Sequence, residues 1–184
     1  MKFQEQEKIT LLRDVEATEI PYGTKINLYK GTEVTLTQSL GGTFTVITHQ
    51  GQMVSLSGKD ADALGKDKAS EISLPKTEAG EIDVEKAVWG QLRTCYDPEI
   101  PHNIVDLGLI YECKIEPINE AGDKKVSIVM TLTAPGCGMG DWLSKDARNK
   151  ILTIPTVKDC NVQVTFDPPW DRSKMSPALR REFM

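Results

Sequence analysis

Residues 126–143, VSIVMTLTAPGCGMGDWL, decide the fold of the second half of the chain. Apolar residues recur at every second position from 126 to 132, which predicts a strand with one buried face. The run 134–138 breaks this alternation, and from 139 to about 152 apolar residues recur every four positions, as in a helix. The sequence therefore predicts a strand, a loop and a helix in succession. The apolar positions are Val126, Ile128, Met130 and Leu132 in the strand and Met139, Leu143, Ala147 and Ile151 in the helix.

Further elements surround this unit. A helix follows Asp83, a side chain suited to capping a helix N-terminus, and it ends at Asp97-Pro98 because proline restricts the residue before it. Strands are predicted at Leu109–Glu116 and Val157–Phe166, where apolar and polar residues alternate. The order α-β-β-α-β describes an α+β domain that contains one βαβ unit.

The first half of the chain has short alternating segments such as Val34–Thr37. Gly41-Gly42 follows this segment and is a hairpin signal, because primed turns need positive φ. We therefore expect a small all-β module before the α+β domain. The predicted boundaries are 1–65 for the all-β module, 66–81 for a polar linker, and 82–184 for the α+β domain, with a tail from about 167.

Composition excludes several classes of function. The net charge of −5 and the pI near 5.2 argue against a nucleic-acid-binding protein, which needs a basic surface. Residues 1–8 lack the apolar core of a secretory signal, and no stretch is long and apolar enough to span a bilayer. We expect a cytoplasmic protein that binds neither nucleic acid nor membranes.

The four cysteines differ in their sequence context. Cys95, Cys113 and Cys160 fall on apolar faces of predicted elements, where a free cysteine acts as a small buried hydrophobe. Cys137 lies between Gly136 and Gly138 in the loop before a helix. Unpaired amides at a helix start favour the thiolate form, which binds metals and attacks electrophiles. A cysteine that merely fills a tight loop is the competing interpretation, and spacing alone does not decide between the two.

Four motifs identify a family resemblance. They are Asp97-Pro98-Glu99-Ile100, Asp106-Leu107-Gly108-Leu109-Ile110-Tyr111, Thr131-Leu132-Thr133-Ala134-Pro135-Gly136-Cys137 and Asp167-Pro168-Pro169-Trp170. Together they resemble the iron–sulfur cluster assembly domain formerly catalogued as a domain of unknown function. The resemblance covers roughly residues 82–184, and with the β-rich N-terminal segment it extends to the SufT subgroup of bacterial cluster-assembly proteins.

The resemblance implies a factor that helps to mature iron–sulfur proteins, with its motif cysteine at Cys137. It also implies that Asp97, Glu99, Asp106 and Thr133 belong to the same site, the acidic residues as hydrogen-bond partners of ligands or as weak iron ligands. Many relatives have proline after the motif cysteine, where this chain has Gly138. Because proline would fix the first helical turn, we expect a more flexible loop here.

Ligand counting limits the mechanism. An iron–sulfur cluster takes about four thiolate or similar ligands, so Cys137 of one chain cannot hold a cluster alone. We expect no stably bound cofactor, and only transient binding of iron or of a cluster by Cys137, by a homodimer that pools two Cys137 thiolates, or from a partner. The expected partners are the assembly machinery and apo client proteins, and the expected role is that of a carrier or adaptor, not of an enzyme.

A thiol-based redox enzyme or sensor with Cys137 as nucleophile is the alternative function. No histidine in a recognisable motif would serve as its base, and no resolving cysteine lies nearby in the sequence. In the tail, Trp170 is expected to fold back onto the domain. Ser176-Pro177 is expected to start a short basic helix, which either frays or contacts a client protein.

Overall fold

A computed structural model describes residues 7–67, 74–97, 101–134 and 139–182. Contacts within the chain divide it into two units, Met1–Ile72 and Ser73–Met184. The extent of the linker at 66–81 stays a prediction. Within the four described ranges, no helix has both the length and the apolar character needed to cross a bilayer.

The first unit is an all-β module, as predicted. Its described residues form the strands β1 (Glu7–Thr10), β2 (Val15–Glu19), β3 (Lys25–Leu28), β4 (Glu33–Leu40), β5 (Thr43–Thr48) and β6 (Met53–Ser57). These strands form one sheet in the order β1-β4-β5-β6-β2-β3, and a 3₁₀ segment, Gly58–Leu64, follows β6. Gly41 and Gly42 have φ values of 63° and 73°, which confirms the hairpin between β4 and β5.

The second unit has the predicted order α-β-β-α-β, followed by a short terminal helix. The elements are α1 (Val84–Leu92), β7 (Ile110–Pro117), β8 (Lys124–Met130), α2 (Met139–Ile151), β9 (Val157–Val164) and α3 (Pro177–Glu182). β7 pairs antiparallel with β8, and β8 pairs parallel with β9, so β8, α2 and β9 form the βαβ unit. The fold class is therefore α+β, as predicted.

Local side chains set the helix boundaries. The carboxylate of Asp83 accepts a hydrogen bond of 3.1 Å from the backbone N–H of Lys86 and pairs with the Lys86 ammonium at 3.0 Å. These contacts with Lys86 lower the pKa of Asp83. In the tail, the Ser176 hydroxyl accepts from the N–H of Leu179 at 3.3 Å and caps α3, as its sequence predicts.

The core of the second unit lies between the helices and the sheet. α2 packs against β9 and α1 packs against α2. The inward side chains alternate along β8 as predicted. Along α2, three of the four predicted positions are buried, whereas Met139 is only half-buried and Trp142, which was not predicted, is buried. The buried members on these elements are Val126, Ile128, Met130, Leu143, Ala147, Ile151, Val88 and Leu92.

Two expectations for the strands are wrong in detail. β9 ends at Val164, and Phe166, predicted on an apolar face, is 44% exposed because the chain turns away from the sheet after Thr165. Cys113, predicted as a buried hydrophobe, is half-buried because β7 is an edge strand of the sheet.

Candidate functional site

The candidate site lies at the edge of the sheet where β8 and β9 both end. Beyond Met130, the N–H of Thr131 donates to the carbonyl of Leu109 at 2.8 Å, and the carbonyl of Met130 accepts from Thr165 at 2.8 Å. Three segments therefore meet there: the turn before β7, the end of β8 and the start of the tail. In open α/β sheets, ligand sites occur at the carboxyl ends of parallel strands, which is the edge described here.

The connection from β8 to α2 is the segment that contains the cysteine motif. Cys137 lies outside the described residues, as do Gly136 and Gly138. The flanks of this segment are closely packed, since Leu132 and Gly140 are both buried. A Cβ on residue 140 would lie 2.6 Å from the Cδ1 of Leu132, so the end of that side chain would have to shift to admit one.

Thr133 is exposed on the same connection. Within the described segments its hydroxyl has no hydrogen-bond partner, so its predicted role in orienting the Cys137 loop stays a prediction. The neighbouring Thr131 is fully buried instead, and its N–H forms the bond to Leu109.

Backbone hydrogen bonds join the residues just before Asp97 to the sheet edge where β8 and β9 end. Tyr96, which precedes Asp97, pairs with Asn103, and the N–H of Ile104 donates to the carbonyl of Cys95 at 3.0 Å. The N–H of Leu109 then donates to the carbonyl of Ile104 at 3.0 Å. The structure thus brings the segments of Asp97, Asp106 and Thr133 together, whereas Glu99 lies outside the described residues.

Asp106 uses both of its carboxylate oxygens within the protein. Oδ1 accepts from the Arg93 guanidinium at 3.2 Å, and Oδ2 accepts from the side-chain amide of Asn103 at 2.7 Å. The Asn103 side chain in turn accepts from the backbone N–H groups of Val105 and Asp106. Asp106 therefore fixes the turn at 103–108 to the end of α1.

The tail folds back onto this turn and forms what we name the C-terminal strap, residues 167–182. The indole Nε1 of Trp170 donates to the carbonyl of Leu107 at 2.9 Å, which confirms that Trp170 folds back onto the domain. The N–H of Ser176 donates to the carbonyl of Asp106 at 2.8 Å. The second motif, residues 106–111, and the fourth motif, residues 167–170, are thus in direct contact.

Tyr111, the last residue of the second motif, contacts the strap through both its hydroxyl and its ring. The hydroxyl donates to the carbonyl of Pro168 at 2.8 Å, and the Lys174 ammonium lies 4.7 Å from the ring centroid. A cation at this distance from an aromatic face is attracted to it. Met175 and Leu179 are buried and hold the rest of the strap in place.

The three described cysteines are poor thiolates. Burial raises the pKa of Cys113 and of Cys160 to about 11, and raises the pKa of the fully buried Cys95 further. No group of three or more histidine, cysteine or carboxylate side chains is placed to hold a metal ion in the described ranges.

Sequence reasoning missed several residues that shape the site. Arg93 and Asn103 bind the Asp106 carboxylate and so hold the turn at 103–108 in place. Gly140 packs closely against Leu132. Their signal in the sequence is weak, because a helical arginine, a turn asparagine and a glycine at a helix start are common for local reasons. Gly108 did stand in a motif, but its reason, the approach of the strap, is visible only in the fold.

Comparisons with known proteins show which family this chain belongs to. The protein family described as "Iron-sulfur cluster assembly protein" matches residues 85–164. The "Fe-S protein maturation auxiliary factor" of Porphyromonas gingivalis is 40% identical over 95 residues, 52% of this chain and 86% of that protein.

Two further relatives are similar over the same share of their own length. The "Fe-S protein maturation auxiliary factor YitW" of Bacillus subtilis is 33% identical over 50% of this chain and 86% of that protein. The "Fe-S protein maturation auxiliary factor SufT" of Staphylococcus aureus is 36% identical over 44% of this chain and 85% of that protein. By these matches, the chain belongs to the iron–sulfur cluster assembly protein family and is a SufT-type member of it.

Proposed function

We propose that this protein is a maturation factor for iron–sulfur proteins that handles iron or a cluster transiently through Cys137. The observation that carries the proposal is the 40% identity to a maturation auxiliary factor over 86% of that protein's length. The matched region 85–164 includes every residue predicted for the site. The cluster is cargo, and its destination is an apo client protein in the cytoplasm.

The chemistry of the donors supports a carrier or adaptor over an enzyme. The described cysteines have raised pKa values and lie on packed elements, so they are not available as thiolate ligands. Cys137 would then supply one ligand, and the others would come from a second copy of the chain, from small thiols or from the partner. Such incomplete ligation favours release of the cargo over its storage.

The predicted acidic residues have two different parts in this proposal. Asp106 acts as a positioning residue, since its oxygens are used by Arg93 and Asn103. Asp97, Glu99 and Thr133 are proposed to flank Cys137 at the edge where β8 and β9 end. A hydrogen bond from such a neighbour tunes the basicity of a metal ligand.

Anaerobic incubation of the full chain with ferrous iron and sulfide tests the proposal. We expect a visible charge-transfer absorption that Cys137→Ser loses and Cys113→Ser keeps. Cys113 is the matched control because it is a half-buried cysteine of the same unit. Absence of iron uptake, together with rapid sulfenate formation at Cys137 in peroxide, would overturn the proposal in favour of a thiol redox protein.

A further inference from the structure

A largely buried ion pair on α2 lies against the end of α1. The Lys150 ammonium pairs at 2.9 Å with the carboxylate of Asp146, one helical turn earlier, and the two side chains are only 14% and 17% exposed. The same ammonium donates a hydrogen bond of 2.7 Å to the backbone carbonyl of Thr94, two residues beyond α1. We name Asp146 and Lys150 the α2 pair.

The carboxylate of this pair reaches the next residue of the same segment. Burial raises the pKa of the fully buried Cys95 thiol, and a hydrogen bond with Asp146 contributes to the rise. The α2 pair therefore holds both Thr94 and Cys95. Lys150 also places a cation near the negative end of the α1 dipole, where it is favoured.

The segment that the α2 pair holds leads directly into the site. Asp97 follows Cys95 by two residues, and the carbonyl of Cys95 accepts from the N–H of Ile104 at 3.0 Å. α2 itself begins at Met139, directly after the segment with the cysteine motif. The α2 pair thus joins the helix that follows the motif cysteine to the segment that carries the first acidic motif.

Stability alone does not account for a charged pair at this position. Taking two charges out of water costs free energy that their mutual attraction only partly returns, and apolar residues of similar volume are often at least as stabilising. An apolar pair, however, could not donate to the Thr94 carbonyl or bond to the Cys95 thiol. The charged pair adds one defined arrangement of the end of α1 against α2.

We infer that Asp146 and Lys150 are positioning residues of the site, which fix the segment of Asp97 against α2 so that it acts together with the motif cysteine. The inference rests on the proposed function, in which Cys137 is the ligand of the cargo. Neither residue of the pair is a ligand, since the contacts of both are made within the protein. Residues that orient a metal site from behind its ligands commonly change metal affinity by about 10- to 100-fold when they are replaced.

Anaerobic titration of the full chain with ferrous iron at fixed sulfide tests the inference. The quantity compared is the iron concentration that gives half of the charge-transfer absorption. D146L/K150M keeps the net charge and replaces the pair by apolar residues, so we expect it to need about tenfold more iron, with a urea midpoint close to the native value. K150R keeps a cation that can donate to the Thr94 carbonyl, and it should restore the native iron requirement.

The matched control is K125M/D159L. Lys125 and Asp159 form an ion pair of 3.3 Å that also joins two elements of this unit, but it lies near the starts of β8 and β9. The control also keeps the net charge, and it should bind iron as the native chain does. Hydrogen exchange at the amide of Ile104, which bonds to Cys95, should speed up in D146L/K150M and not in the control.

Two results would overturn the positioning role alone: a native iron requirement in folded D146L/K150M, or an equal loss in K125M/D159L. If D146L/K150M did not fold, K150Q would take its place with the same expectation and the same control. No absorption in the native chain, or equal absorption in C137S, would refute the proposed function itself and the positioning role with it.

Discussion

Gly108 leaves no room for a side chain because the backbone carbonyl of Lys174 lies against it. Its φ of 69° also lies in the left-handed region that favours glycine. The turn before β7 and the C-terminal strap therefore fit each other backbone to backbone. This contact explains why the second motif of the sequence carries a glycine.

Gly108→Ala should destabilise the protein through both effects. The left-handed conformation costs a residue with a Cβ about 1–2 kcal/mol, and displacement of the strap adds to it, for an expected loss of about 2–4 kcal/mol. Urea unfolding measures the loss, and hydrogen exchange at 170–176 should speed up. Gly122→Ala is the control, because its φ is 90° but a Cβ there meets nothing within 4 Å. Equal losses in the two variants would contradict the packing explanation.

Two helical glycines should respond in opposite directions to alanine. A Cβ at Gly90 in α1 would enter open space, so Gly90→Ala should raise the free energy of unfolding by about 0.5–1 kcal/mol. At Gly140 a Cβ would press on Leu132, so Gly140→Ala should lower it by about 1 kcal/mol. Chemical denaturation of both variants checks this, and stabilisation by Gly140→Ala would show that the connection after β8 is loosely packed.

The buried thiols should make stability fall at alkaline pH. Burial raises the pKa of Cys113 and of Cys160 to about 11, whereas an exposed thiol has a pKa of about 8.5. The contribution of these two neutral thiols to the free energy of unfolding is therefore fully present below about pH 8.5 and is lost as the pH rises through 11. The free energy of unfolding of the native chain should fall more steeply over this window than that of C113S/C160S. Parallel pH profiles would contradict the raised pKa values.

Asp106 should behave as a positioning residue. Asp106→Asn and Arg93→Gln each break the same half-exposed ion pair, so each should cost about 0.2–1 kcal/mol and their effects should not add. Both variants should also change anaerobic iron uptake to the same extent. If Asp106→Asn alone abolished iron uptake, Asp106 would instead be a ligand.

Periodicity was enough to predict the order of the elements in the second unit. Three features depend only on residues that are near in the sequence, so the sequence predicts them. They are the alternation along Val126–Met130, the four-residue repeat of α2 and the Asp83 cap. The same reasoning correctly predicted α3 from Ser176-Pro177.

The remaining features depend on contacts between distant parts of the chain. Trp170 and Ser176 donate hydrogen bonds to the backbone carbonyls of residues 107 and 106. Because every residue has a backbone carbonyl, the sequence does not show which one accepts such a bond. The edge position of β7, which leaves Cys113 half-buried, follows from strand order and not from strand composition. The motif residues Asp97, Asp106 and Thr133 came from family resemblance, because their local patterns fit ordinary turns and strands equally well.

The activity of a [4Fe–4S] enzyme in cells whose only copy of this protein is Cys137→Ser shows whether Cys137 handles the cargo. We expect activity as low as in cells that lack the protein, with the variant folded and present at the native level. Cys113→Ser, measured in parallel, should support native activity. Native activity with Cys137→Ser under growth conditions that demand iron–sulfur assembly would contradict the claim that this cysteine handles the cargo.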